Sequence, residues 1–182
     1  MFSWCRRRLL QFRHDQRGVS AVEFALLLPL MITLYLGGVE VSQAISIDRK
    51  VSLTARAVAD LVARTTSVSQ ADMTNILDAA TTVTAPYPSA NIKVKVSSVK
   101  IKADGTATVE WGAAKNTSKR NNGDPVTVPT ALKRPGEDSW LIWAEVEYGY
   151  TPTIGYVITG TLNLTDQIYM RPRLSDSVTG PT

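Results

Sequence analysis

The residues able to do chemistry are few, and their types narrow the choices quickly. Glu145 and Glu147 alternate along one stretch and so point to the same side of a strand. Paired carboxylates of that kind serve glycoside hydrolysis, although alternation with apolar neighbours equally describes the wet face of an ordinary strand. Lys93, Lys95, Lys100 and Lys102 resemble a phosphate-binding stripe. No aromatic residues are interleaved with them, so a solvated strand face that discourages edge pairing is the simpler reading. The sole cysteine, Cys5, and the sole histidine, His14, both fall near the N-terminus. Beyond them there is no material for an intrachain disulfide, a Cys or His metal site, or a histidine-activated nucleophile. No GxSxG, phosphate loop or HExxH is present, and neither a cofactor nor a metal is expected. One further carboxylate, Glu23, stands at the start of a long apolar run, where charge is costly.

That run, Phe24 to Val39, holds sixteen residues without a charge. At 1.5 Å per residue it spans about 24 Å, and extension to about residues 19–41 completes a membrane crossing. The net charge of +4 comes entirely from the segment before it, with Arg6, Arg7, Arg8, Arg13 and Arg17 against Asp15. The rest of the chain is balanced, so the excess is a topology signal and not a nucleic-acid surface. Only Arg49, Lys50 and Arg56 follow closely after the run. The bias orients the N-terminus to the cytoplasm and the bulk of the chain outside the inner membrane. Ala44, Ile47, Val51, Ala55, Val58 and Val62 then recur at helical spacing, predicting one long helix over residues 19–64. Pro29 removes one backbone hydrogen bond from it and is expected to kink it.

Two cleavage positions compete. Ser42-Gln43-Ala44 offers a signal-peptidase pattern after the run, but a cut there would sever the stripe from its membrane half. The other position lies before the run, after Gly18.

Arg17-Gly18, then Glu23-Phe24, then Ala25-Leu26-Leu27-Leu28-Pro29 resembles the processing site of type IV prepilin-like proteins. More narrowly, residues 17–40 are similar to the TadE/TadG family of the tight-adherence (Tad, or Flp) pilus system. No Asp-x-Ser-x-Ser metal-ion motif of longer TadG-type relatives is present, which favours the TadE-like form. The resemblance implies cutting between Gly18 and Val19 by a prepilin peptidase, at a glycine whose backbone no side chain obstructs. It also implies that Glu23 pairs with the freed amine of a neighbouring subunit. Glu23 reaching the lipid headgroups is the alternative without assembly. The implied role is a non-catalytic minor pilin or pseudopilin. Its partners would be the peptidase, other pilin or pseudopilin subunits, the inner-membrane pilus assembly platform and membrane lipid, with no nucleic acid. A permanently anchored bitopic periplasmic binding or envelope protein is the competing role.

The remainder reads as an α+β domain over residues 65–182, pilin-like in its order of elements. Ser69-Gln70-Ala71-Asp72 has capping-box form and Met73, Ile76, Leu77 and Ala80 share a face, predicting a short second helix near residues 70–82, closed by Pro86 and Pro88. Alternation over residues 92–96 and 99–103 predicts a strand with a bulge at Ser97-Ser98. Asp104-Gly105 predicts a hairpin turn, and Ala107, Val109 and Trp111 the return strand. Residues 112–139 lack periodicity and read as a long loop whose Val126-Thr127-Val128 lies against the sheet edge. Strands over residues 140–150 and 161–170 complete an antiparallel sheet of about four strands.

Overall fold

A computed structural model describes residues 17–152, 155 and 158–181. The arginine leader with Cys5 and His14 therefore lies outside the described residues. Helix α1, Arg17–Ala63, runs through 47 residues and α2, Gln70–Thr82, follows it. Strands β1 (Ile92–Ile101), β2 (Ala107–Lys115), β3 (Ser139–Tyr150) and β4 (Leu162–Met170) form one antiparallel sheet in the order β2-β1-β3-β4. The α+β class, the two helices and the four strands are as the sequence predicts.

The second half of α1 folds as its stripe requires. Ile47, Val51, Ala55, Val58 and Val62 are fully buried, and the helix packs across β3 and β4. Thr54 also lies inside, tolerated because its hydroxyl donates to the Lys50 carbonyl at 2.8 Å. Ser69 caps α2 by accepting from the Asp72 amide at 3.1 Å, while its hydroxyl donates to the Asp72 carboxylate at 2.7 Å. Shorter Asp thus replaces the usual backward reach of Glu with a side-chain pair. The helix ends at Thr82, ahead of the prolines, which stand in the turn that follows. Lys50 holds that turn by donating to the carbonyls of Val83, at 3.3 Å, and Ala85.

In the sheet, the change of phase at Ser97-Ser98 has a different cause from the one expected. β1 pairs with β3 without a break, and the extra residue of the bulge is Glu110 on β2. What changes along β1 is the cover on each face. Ile92, Val94 and Val96 meet the helices, whereas Val99 and Ile101 belong to a second apolar cluster on the opposite face. The bulge also turns Trp111 away from the side shared by Ala107 and Val109.

The long irregular segment supplies that second cluster. Residues 116–138 first run along the outer edge of β2, where Val109 N donates to Asp124 O at 3.0 Å and Val126 N to Ala107 O at 3.0 Å. Val126 and Val128 then pack beneath Val99, Leu141 and Trp143, as the edge placement of this stretch anticipated. Gly112 has to be glycine here, because a Cβ would sit 2.6 Å from the Arg120 carbonyl oxygen. The C-terminal segment closes the opposite side. Arg173 N donates to Ala63 O at 2.8 Å, Val68 N to Thr179 O at 2.9 Å, and the Trp111 indole to Val178 O at 2.7 Å.

Candidate functional site

Gly18, Val19, Glu23, Phe24 and Pro29, the processing and assembly candidates named from the sequence, all lie on one exposed stretch of α1. None of residues 18–36 is buried. That length of helix is about 28 Å, close to the thickness of a bilayer's hydrocarbon layer. Large apolar side chains point outward all around it, with Phe24 58%, Leu26 75%, Leu30 56% and Tyr35 72% exposed. A helix apolar on every side is stable only when lipid or other helices surround it. At roughly 1.5–3 kcal/mol per large apolar side chain, leaving this stretch in water would forgo tens of kcal/mol.

Within it, Val19 and Glu23 are separated by one turn and share a face, whereas Phe24 and Pro29 project elsewhere on the wheel. Gly18 stands in open space, since a Cβ there would meet no atom within 4 Å. Packing therefore does not demand glycine at this position, although glycine costs about 1 kcal/mol relative to alanine inside a helix. The helix continues through Pro29. Beside it the Thr33 hydroxyl donates to the Pro29 carbonyl at 2.8 Å, so a polar side chain in an apolar stretch is satisfied within its own helix.

The fold takes hold of α1 at Gly37 and Glu40, the first buried residues along it. Glu40 is 2% exposed and its carboxylate accepts from Ile158 N at 3.0 Å. Tyr150 reaches the same turn, its hydroxyl 3.1 Å from Gln43 Oε1. Burial and then the nearby Glu40 charge push the Tyr150 phenol above its ordinary pKa. Sequence reasoning missed this junction. The signal was available, because stepping back from Ala44 by four and then three residues reaches Glu40 and Gly37 on the same stripe.

The other candidate clusters are already paired. Both oxygens of Glu145 accept from Arg120 Nη2, at 2.8 and 2.9 Å, one of them also accepts from Nε at 3.1 Å, and that cation lies 4.0 Å from the Trp143 ring centre. Trp143 in turn stacks on Tyr169 at 5.3 Å. Glu147 pairs with Lys93 at 2.9 Å. The two carboxylates of the hydrolase reading are thus each held by a cation, on the floor of an open groove of about 490 Å³. The lysines do not make one stripe. Lys93 and Lys95 line the groove, whereas Lys100 joins Asp138 at 3.0 Å and lies over the Trp140 ring. Among the described residues no cluster of His, Cys, Asp or Glu is arranged to hold a metal ion.

A family model described as TadE-like protein matches residues 18–60, which take in the uncovered half of α1 and most of its packed half. No curated protein and no solved structure matches the chain. Over that N-terminal segment the chain is similar to the TadE-like proteins of the Tad pilus system.

Proposed function

We propose that the protein is a minor pilin or pseudopilin for assembly of a Tad (Flp) pilus, acting without catalysis. The observation that carries this reading is the uncovered apolar stretch of α1 with a single carboxylate, Glu23, one turn beyond Val19. The TadE-like, pilus-associated family is generally non-catalytic. In this account residues 1–18 are a basic leader, and α1 crosses the inner membrane over about residues 19–41 with its N-terminus cytoplasmic. The α+β domain then stands in the periplasm, or on a surface pilus after extraction.

A prepilin peptidase cuts after Gly18 and frees a cationic amine on Val19. In lipid a carboxylate needs a cation or a proton, so Glu23 attracts the amine of a neighbouring subunit. Apolar faces of α1 pack laterally once that register is set. The pilus assembly platform and other pilin or pseudopilin subunits are the partners of this step. Substituting Glu23→Ala should leave membrane insertion intact and lower incorporation into assembled complexes. Unchanged piliation by that variant would refute the assembly role and favour a permanent anchor carrying a periplasmic domain.

A further inference from the structure

The two edges of the sheet are treated differently. The outer edge of β2 is bridged by residues 123–126, with Thr108 opposite Pro125. The outer edge of β4 pairs with no described residue over its nine residues. Soluble proteins blunt such edges with lysine, proline or a bulge. β4, with the sequence LNLTDQIYM, has none of these, and its one charge, Asp166, turns inward to the helix face, where it discourages pairing with any segment that brings no cation opposite it.

The helix-facing row of β4 is also incompletely covered. Leu162, Leu164, Asp166, Ile168 and Met170 stand opposite Tyr150, Tyr148, Val146, Ala144 and Ile142 of β3. Those β3 residues are at most 5% exposed, whereas Leu162 is 40% exposed and Leu164, Ile168 and Met170 are only partly buried. Asp166, in the middle of the row, accepts only the Gln167 amide, at 2.8 Å, and has no cation among the described residues.

We propose that the outer edge of β4 is a docking site for an extended segment of another polypeptide. That segment is apolar on its α1 side and carries a cationic residue facing Asp166. Added antiparallel, it completes the backbone ladder and covers the Leu162–Met170 row. A second copy of this chain does not fit. Antiparallel pairing of two β4 edges places a twofold axis across the sheet and sends the two α1 helices in opposite directions. Head-to-tail pairing would need the β2 edge, which residues 123–126 take from Ala107 to Val109 and the Arg120 backbone crowds at Gly112. The proposal is independent of cleavage after Gly18.

The test uses the full chain in detergent micelles and two labelled nine-residue peptides. Each alternates valine and threonine, with a central lysine in one and a central glutamate in the other. Fluorescence anisotropy should give the lysine peptide the tighter binding by about fivefold to tenfold, the size of one exposed ion pair set against one like-charge contact. Asp166→Lys should reverse the order, and Asp166→Asn, which keeps the side chain's shape, should erase the preference. Hydrogen exchange should show added protection at β4 amides and none at β2. Equal affinities, no binding at the highest soluble peptide concentration, or protection elsewhere would overturn the proposal. So would self-association of the chain that the lysine peptide disrupts, because the edge would then belong to a second copy.

Discussion

Ile47→Ala and Leu26→Ala place the same kind of truncation on the two halves of one helix, and their consequences should differ sharply. Ile47 has no exposed surface and sits between α1 and the sheet, whereas Leu26 is 75% exposed on the uncovered stretch. Removing the outer three carbons of Ile47 forfeits about 2.4 kcal/mol of transfer free energy at about 0.8 per carbon, and the cavity term raises the loss to about 3–4 kcal/mol. In a chain of this size that lowers the midpoint of thermal unfolding by roughly 6–16 °C. Leu26→Ala should stay within about 0.5 kcal/mol, since it removes no contact with the folded domain. Trp111, Trp140 and Trp143, three of the four tryptophans, lie in or beside the sheet. Their fluorescence therefore reports unfolding of the full chain in detergent micelles. Equal losses for the two variants, or a loss below about 1 kcal/mol for Ile47→Ala, would refute the division of α1 into a packed half and a free half.

Other perturbations test the junction and the second layer. Glu40→Ala removes the acceptor of the Ile158 amide and should cost about 1–3 kcal/mol more than Glu40→Gln, which keeps an acceptor oxygen there; urea unfolding of both variants measures the difference. Gly112→Ala should destabilise the domain by about 1–3 kcal/mol, because the Arg120 backbone blocks its Cβ; a neutral effect on the urea midpoint would contradict the close packing of residues 116–138. Tyr148, Tyr150 and Tyr169 are all pushed above the ordinary phenol value of 10.0, chiefly by burial. Above about pH 10 the unfolded chain therefore loses protons that the folded chain keeps, so stability should fall as pH rises, and Tyr150→Phe should flatten that fall in a pH series of melts. Asp104 is held below its ordinary pKa by the Thr106 hydroxyl and then its amide. Its contribution is present above pH 3.8 and is lost as the pH falls through the lowered value, so Asp104→Ala should lessen the acid sensitivity of the hairpin's hydrogen exchange.

Local rules made much of this fold legible in the sequence. The spacing from Ala44 to Val62 specified the buried face of α1, Ser69 and Asp72 marked the start of α2, and Asp104-Gly105 set the first hairpin, where Gly105 has φ of +83°. Alternation in β3 and β4 gave the inward rows correctly. Readings that failed depended on contacts distant in sequence. A strand whose partner layer changes halfway looks bulged from its own residues alone, and the bulge was instead at Glu110. Arg120 gave no local sign of its role, because its partners Glu145 and Trp143 lie more than twenty residues away. For the candidate site, the residue types around Gly18 and Glu23 were legible because membrane helices tolerate so little charge. Glu40 was hidden by the same rule, since a carboxylate at the end of an apolar run reads as a boundary unless the stripe behind it is followed backward.

Prepilin-type processing is read most directly from the N-terminus that the protein carries in its own membranes. Intact mass and N-terminal sequencing of the chain purified from those membranes should give a protein beginning at Val19, with its apolar stretch and Glu23 retained. A chain that still carries the arginine leader would contradict prepilin-type processing and the subunit pairing built on it.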